Sequence, residues 1–586
     1  MPQNPYLYPM KLPYGQSNFR NVATEFYYVD RTPYIEQLEG LASRFLFYLR
    51  PRKFGKSLFV SMLGHYYGEE WKGEFSRLFG RYYIGKNPTP LANRYLVLNF
   101  DFSGMLTDTR EQVLSHFTAK VRSGVKNFIT AYPGYFQDSD YTMADAAEAP
   151  NILLADFFNL VKKRAPGKQV YLLIDEYDHF ANELIAFHRS HFQEIVGRNG
   201  FPDRSGQAVR KFYEVIKEET KSGLVDRMFV TGVSPVTVDS LTSGFNIGEK
   251  ISLDLGLHDM MGFTEDETIK MLLHTGVAED EMPALLEDIR NWYDGYLFHP
   301  AAPNRLYNPN MLIYFGNHYQ RYQTYPDKML DDNIASDYGK IRRLLGVGGE
   351  SHSLGILEEV LAGGGARATL TSQFSFDRQW ERDDYVSLLF WLGMLTVYEK
   401  LVGGGWSFRA PNAVIKQLYY EYFAETLRQR AKLKEGMYEQ ISRAVVSMAA
   451  DNDLAPFLQL VEKVIGRLSV RDARNFNESN LKAIFAALLT PSNVYLIRSE
   501  TEMERRFVDL LCTSLPGVPV HWNFAFELKY LRKKDGARLE EKAAEARAQL
   551  QEYLQTDDLR QVPKLAAYAI VFVGSEAQAV ERVEGA

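Results

Sequence analysis

Five short apolar runs punctuate the first 255 positions of the chain, at residues 45–49, 95–100, 170–174, 227–231 and 250–254. They are aliphatic, aromatic and β-branched, and nearly continuous rather than alternating. That is the pattern of strands covered on both faces. Helical stretches separate them, which predicts a parallel sheet with helices on either side, an α/β domain over roughly residues 15–255. Residues 1–30, rich in Tyr, Pro and Asn, lack helical periodicity and lead into a helix at 33–42.

Beyond 255 the spacing becomes helical. Thr264 and Glu267 stand at the N-cap and N3 positions of a capping box, and the helix they open carries Ile269, Met271, Leu272 and Leu273. Turn-rich segments at 292–298 and 306–309 lie between helices, so residues 256–325 read as a helical lid. Residues 326–465 are mostly helical, broken by glycine runs at 363–365 and 403–405. A helix from Tyr385, a strand at 395–401, a glycine turn and a strand at 406–409 suggest a winged-helix-like unit, of a kind that binds nucleic acid or another protein. Residues 466–586 change character again. A helix at 478–489 precedes strands at 494–497 and 507–511, a turn at 515–518 and an alternating strand at 523–530. A long helix with Ala546, Gln549 and Tyr553 follows, then a strand at 567–573.

Composition narrows the class. At 586 residues the chain is too long for a single core. With 46% hydrophobic and 24% charged residues it reads as a soluble globular protein. The net charge of -7 provides no global attraction to nucleic acid, so any such binding needs a local basic surface. The single cysteine, Cys512, excludes an intramolecular disulfide framework and a cysteine-based zinc site. The start has no signal-peptide character, and the longest apolar stretch, near 386–398, is shorter than the roughly 18 residues of a membrane span. The expectation is a cytoplasmic chain that does not enter membranes.

Candidate chemistry sits at the ends of the apolar runs. Gly55, Lys56 and Ser57 lie between the first run and a helix. The first amides of a helix have no internal partners, and its dipole favours an anion there. Lys56 can reach outer phosphates, and the Ser57 hydroxyl can hold a Mg²⁺. The general pattern is G-x-x-x-x-G-K-S/T, and Arg50 takes the place of its first glycine. Arg50, Arg52 and Lys53 compensate by crowding positive charge into the turn. The plain alternative is a basic strand–turn–helix with a chance Gly-Lys-Ser. The third run ends in Asp175 and Glu176. There Asp175 is placed to bind the Mg²⁺ water shell, and Glu176 to orient or activate the attacking water. An apolar strand that ends in two acids, downstream of such a loop, favours the nucleotide reading. A small hydroxyl where the fourth run ends, Thr231 or Ser234, either contacts the γ-phosphate or lytic water or caps a turn. Phe19, Tyr28 or Tyr34 either stacks on the base or belongs to the core.

A second constellation lies near the end of the chain. Glu527 and Lys529, two apart on a strand, face the same side. A hairpin would bring Asp509 alongside Glu527. Two carboxylates on adjacent strands can hold Mg²⁺, and a nearby lysine can position or deprotonate a water for attack on a phosphodiester. The three side chains are expected to converge on one exposed sheet edge. The alternative is a cross-strand charge pair on an exposed face.

These residues together resemble the bacterial and archaeal AAA-ATPase-like family, whose members carry a C-terminal nuclease-like domain of the PD-(D/E)XK superfamily. The resemblance rests on residues 28–32, 49–57, 173–178, 231–235, 244–247, 262–264, 293–296 and 307–309, and on Phe526, Glu527, Leu528 and Lys529 with the Ala546–Gln549–Tyr553 helix. Family members tend to carry Arg-Pro-Arg before Gly-Lys-Ser, as Arg50, Pro51 and Arg52 do here. They often show Gly-Arg-x-Asp where this chain has Arg506, Phe507, Val508 and Asp509. The resemblance implies a P-loop NTPase (AAA-like) parallel sheet at 1–255 with the phosphate-loop strand central. The helical lid, the winged-helix-like middle and an α/β PD-(D/E)XK-like domain at 466–586 follow it. It implies ATP and Mg²⁺ as cofactors, with Arg52, Phe54, Gly55, Lys56, Ser57, Leu58 and Asp175 at the nucleotide and Ser57 and Asp175 at its metal. Glu176 is then the catalytic acid of the ATPase. Asp509, Glu527 and Lys529 are those of the nuclease, with Asp509 and Glu527 as its metal ligands. Nucleic acid, DNA before RNA, is the expected partner, and an oligomer is compatible. The alternative function is an NTP-dependent switch whose C-terminal domain binds nucleic acid or a protein without cleaving.

Overall fold

The computed structural model describes residues 10–105, 110–146, 149–179, 205–235, 247–335, 350–361, 365–374, 380–432, 436–468, 476–499 and 508–584. The chain forms two compact units. One comprises residues 1–326, 330–350 and 367–407, the other 327–329, 351–366 and 408–586.

The first unit holds an all-parallel sheet of β1 (Phe45–Leu49), β2 (Leu96–Asp101), β3 (Val170–Asp175), β4 (Val225–Gly232) and β5 (Glu249–Lys250), in the order β2-β3-β4-β1-β5. Every residue of β3 is buried, as a strand covered on both faces requires. The phosphate-loop strand β1 is interior but not central, because the middle position belongs to β4. The fifth strand is shorter than its apolar run and starts earlier. The Ile251 amide still donates to the Phe47 carbonyl (3.0 Å), the Leu49 amide then donates to the Ser252 hydroxyl (2.8 Å) instead of a backbone carbonyl, and the chain turns away from β1. A helix missing from the sequence pattern, Phe19–Glu25, is capped by the Asn18 side chain on the Arg20 amide (2.9 Å). The expected helix near 33–42 is Pro33–Gly40.

In the lid, helices Glu265–His274, Met282–Tyr293 and Pro309–Tyr322 follow one another. The capping box at Thr264 and Glu267 is formed in both directions. Helix Arg382–Trp391 leads into β7 (Thr396–Lys400) and β8 (Trp406–Arg409), which join β6 (Ala366–Ala368) in the order β6-β8-β7. Eight consecutive residues of that helix, Asp384 to Trp391, are buried. It is a core element. The β7 side of this hairpin is anchored to the lid: the Leu297 amide donates to the Thr396 hydroxyl (2.6 Å) and the Val397 amide to the Leu297 carbonyl (3.2 Å). Among the described residues no helix is long and apolar enough to cross a membrane.

The second unit packs helices Ala413–Arg430, Met437–Asp451, Ala455–Ile465 and Glu478–Leu489 with a five-stranded sheet. Its strands are β9 (Tyr495–Ser499), β10 (Leu510–Ser514), β11 (Asn523–Leu531), β12 (Leu565–Val573) and β13 (Glu576–Val583), in the order β13-β12-β11-β10-β9. All neighbours are antiparallel except β11 and β12, whose parallel pairing is bridged by helix Leu539–Tyr553. The sequence pattern missed β13. It is an edge strand whose Glu576, Glu581 and Arg582 disguise it, and edge strands carry such charges as protection against pairing. The expected strand at 507–511 begins at Leu510, and Phe507 lies outside the described residues, as do Arg506, Gly363, Gly364 and residues 244–246.

Candidate functional site

Two constellations of acids and lysine are present, one in each unit. The first is built at the carboxyl end of the parallel sheet, where ligand crevices of such sheets lie. β1 ends at Leu49, and the chain turns into helix Lys56–Tyr67 through a loop whose left-handed residues are Lys53 (φ 66°) and Gly55 (φ 94°). A Cβ on Gly55 would meet nothing within 4 Å, so its backbone conformation, not crowding, calls for glycine. No side chain caps the helix at Gly55, and its first amides face the loop.

Arg50 does not add to the charge of that loop. Its side chain is 1% exposed and turns inward. The guanidinium donates to the carbonyls of Leu49 (3.0 Å), Ser252 (2.7 Å) and His258 (3.2 Å). Its carbon lies 4.2 Å from the ring centre of Tyr48 and 4.1 Å from that of Phe298. The expected compensation by Arg50 is therefore corrected: the positive groups at the loop surface are Arg52 and Lys53, and Arg50 is a structural pin. Its φ is not left-handed, which removes the need for glycine at this position. Gly393 (φ 78°) lies against Pro51 at the start of the loop, where an added Cβ would come within 2.6 Å of the proline Cβ.

A cavity of about 540 Å³, within the size range of small-ligand sites, is lined by Arg52, Lys53, Phe54, Gly55, Lys56, Ser57 and Leu58 and by Glu176. Its apolar end is formed by Leu12, Tyr27, Tyr28, Met260, Met261 and Ile313. Lys56 is buried and donates to the Pro51 carbonyl (3.0 Å). Phe54 is 1% exposed, its ring edge-on to Tyr296 (5.0 Å) and Phe298 (5.6 Å).

The Ser57 hydroxyl lies close enough to the Asp175 carboxylate to favour its charged form, which makes the two expected metal ligands neighbours. Burial, then the charges of Glu176 and Asp101, push Asp175 up to about 6 against the influence of Ser57 and Lys56. Glu176 is held in a left-handed conformation (φ 54°). Burial would raise its pKa, but contact with His179 and the charges of Lys56 and Arg52 outweigh it and hold the carboxyl at about 2. His179 Nε2 accepts from the Gly104 amide (3.2 Å), which leaves the ring proton on Nδ1, 3.4 Å from Glu176 Oε2. A serine hydroxyl and two carboxylates are hard oxygen donors suited to Mg²⁺.

Two neighbours of this site, Asp101 and His179, and the role of a third, Asn308 of the 307–309 motif, escaped the sequence reading. Asp101 ends β2 in register with Asp175, one residue past the apolar run that defined the strand. His179 follows Asp175 by four positions. Asn308, which caps helix Pro309–Tyr322, also reaches the Arg52 carbonyl (3.4 Å). Other expected residues are placed elsewhere. Ser234 donates to Asp178, whose buried carboxylate also takes the amides of Val233 (3.0 Å) and Ser234 (2.6 Å) and so ties the ends of β3 and β4 together. Phe19 is core, stacked on Phe79 (5.0 Å), and Tyr34 packs against the same cluster. Tyr28 alone of the three aromatic candidates lines the cavity.

The second constellation sits in the middle of the C-terminal sheet. One step beyond the Leu510–Phe526 pair, Asp509 comes opposite Glu527, and its Oδ2 accepts the Leu528 amide (2.7 Å). Lys529 Nζ donates to Glu527 Oε1 (2.7 Å), so the two share a face as their spacing predicts. The location differs from the expectation. Asp509, Glu527 and Lys529 are 3%, 3% and 7% exposed; the two β11 residues are on a strand paired on both sides, and Asp509 stands just before β10, which is also interior, so none is at an open edge. Lys482, from helix Glu478–Leu489, is ion-paired with Asp509 Oδ1, and Glu478 lies 3.5 Å from Lys482 and 3.7 Å from Lys529. Neither Glu478 nor Lys482 had been singled out, because no motif marks them.

Burial, then the neighbouring Asp509 charge, pushes Glu527 up to about 7, and burial raises Asp509 as well despite Lys482. Burial opposes the charge on Lys529, but Glu527 and Asp509 outweigh it and raise its pKa. Glu527 Oε2 is buried without a hydrogen-bond partner. An orphaned carboxylate oxygen beside a second carboxylate fits a divalent cation, which Asp509 and Glu527 would hold.

Residues 13–242 match the family model described as predicted AAA-ATPase, and residues 476–582 match that of the PD-(D/E)XK nuclease superfamily. The chain is also similar to a curated protein of Azotobacter chroococcum mcd 1 described as "Uncharacterized protein in vnfD 5'region", with 26% identity over 313 residues. The match covers 52% of this chain and 52% of that protein, so the chain spans about half the length of the curated relative.

Proposed function

We propose that this chain, which carries an AAA-ATPase-like domain and a PD-(D/E)XK nuclease-superfamily domain, hydrolyses ATP at the first constellation and cleaves nucleic-acid phosphodiesters at the second. In this reading an ATPase domain (1–255) and lid (256–325) precede a winged-helix-like middle (326–465) and a nuclease domain (466–586), in a cytoplasmic enzyme that takes DNA before RNA. The convergence of Lys56, Ser57 and Glu176 on one cavity, with Asp175 beside Ser57, carries the ATPase reading.

Lys56 and the amides of residues 55–58 bind the phosphates. Glu176, ionised down to about pH 2, accepts a hydrogen bond from the attacking water and orients it, while His179 fixes the carboxylate. Ser57 and Asp175 would hold a Mg²⁺, which would supply charge neutralisation of the phosphate oxygens. At the other site the residues that would hold a divalent ion are Asp509 and Glu527, and Lys529 positions or deprotonates the water. A second reading, an NTP-dependent switch that binds nucleic acid or a protein without cutting, is favoured by the lysines that already neutralise both carboxylates.

The test incubates linear, circular and single-stranded nucleic acid with Mg²⁺ or Mn²⁺, with and without ATP. Wild type should cleave, and Glu527→Ala should not. Lys56→Ala should lose ATP turnover by about a hundredfold or more. Cleavage that survives in Glu527→Ala overturns the nuclease assignment, undiminished turnover in Lys56→Ala overturns the ATPase assignment, and no cleavage by wild type favours the switch.

A further inference from the structure

The lysines of the C-terminal site carry an inference that rests on the divalent-metal reading of that site and goes beyond it. Glu478 and Lys482 stand four residues apart at the start of helix Glu478–Leu489, so they leave the same face. With Asp509, Glu527 and Lys529 they form one network of three carboxylates and two ammonium groups. The two lysines differ in freedom. Lys529 is tied to Glu527 by the strand they share, two positions apart. Lys482 reaches Asp509 from another element, and Glu478, which both lysines approach, is 37% exposed and stands 3.5 Å from Lys482 on the same helix. The oxygens at issue are also distinct. Asp509 Oδ2 is committed to the Leu528 amide, and Lys482 takes Oδ1. Glu527 Oε1 is committed to Lys529, and Oε2 has no partner. A cation bridging the two acids therefore needs Glu527 Oε2 and the oxygen that Lys482 holds. An ammonium and a divalent ion compete for that oxygen and repel one another where water screens little.

We propose that Lys482 is a built-in counter-ion that guards Asp509 until a nucleic-acid phosphate draws it away, so that divalent metal and phosphodiester backbone bind this site cooperatively. Without metal, Lys482 neutralises a buried carboxylate that cannot stand uncompensated. When a backbone phosphate arrives, the ammonium exchanges a carboxylate for the phosphate and leaves Asp509 Oδ1 to the ion. Linkage makes the effect reciprocal: the phosphate tightens metal binding by the factor by which metal tightens phosphate binding. Lys482 thus acts as a positioning residue, through the charge it moves.

The experiment uses the full chain without nucleotide and follows Mn²⁺ binding by loss of the free-ion paramagnetic resonance signal. It is run with and without a short phosphorothioate-linked DNA duplex, with ions bound to DNA alone subtracted. Wild type should bind Mn²⁺ about tenfold or more tightly when the duplex is present. Lys482→Met should already show that tighter binding without DNA and gain less than about twofold from it. Lys482→Arg, which keeps the charge, should behave as wild type. Lys482→Gln serves if the methionine variant does not give a cooperative melt. Wild-type affinity in the neutral variants, or an equal DNA effect in all of them, overturns the proposal, as does an arginine variant that matches the methionine one. If Glu527→Gln leaves Mn²⁺ binding unchanged, the ion is not at this site, and the metal reading falls with the proposal.

Discussion

Each end of the chain assembles acids with lysine, but the N-terminal assembly is open toward a ligand and the C-terminal one is closed on itself. Lys56 gives its hydrogen bond to the Pro51 carbonyl rather than to a carboxylate, and it lines a cavity of about 540 Å³. Glu176 beside it is ionised, held at about 2. In the C-terminal sheet, Lys482 and Lys529 sit directly on Asp509 and Glu527, and Glu527 is pushed up to about 7. The difference is one of construction. Backbone amides and a left-handed loop present unspent positive potential to an anion, whereas opposed side chains compensate one another and yield only to a group of higher charge.

If the two regions are separate sites, Glu176→Gln should lower ATP turnover by about a hundredfold to a thousandfold while ATP affinity, read by calorimetry, stays within about threefold. Glu527→Gln should leave turnover within about twofold. Equal losses in the two variants would break the separation. Next in size, Arg50→Ala should cost about 2–3 kcal/mol in urea unfolding, because it orphans buried carbonyls and removes two ring contacts. Were Arg50 a phosphate ligand instead, ATP affinity would fall with little change in stability.

The two regions should also part company with pH. Glu527, with its raised pKa, is neutral below about 7, so a metal ion must displace a proton there. Mn²⁺ affinity at that site should fall about tenfold per unit from pH 7 to 5. Glu176, depressed to about 2, keeps its charge through the same window, so protonation of this acid should produce no acid limb there in ATP turnover. The smallest effect belongs to Ser234→Ala, about 1 kcal/mol in stability with turnover unchanged. A large loss of turnover would return Ser234 to the nucleotide.

Much of this was legible because it is local. β1 coincides with its apolar run, and the loop and helix that follow it are written in adjacent residues. A period of two placed Glu527 and Lys529 together, and one hairpin placed Asp509 opposite. What escaped depends on distant partners. The inward turn of Arg50 needs carbonyls about 200 positions away, at Ser252 and His258. Three charged residues in sequence suggested an exposed edge, but β12 pairs on the far side of β11 and helix Glu478–Leu489 brings Lys482 onto Asp509. Charge predicts exposure only until another charge answers it.

The contact between Gly393 and Pro51 ties the phosphate loop to the turn between helix Arg382–Trp391 and β7. With no room for a side chain at that point, neither segment can open alone without losing the other's packing. The loop and residues 382–400 should therefore belong to one cooperative unit of local unfolding, whose amides exchange with solvent together. Whatever rigidifies the loop is then felt along β7 as lost conformational entropy, even where no atom changes its mean position.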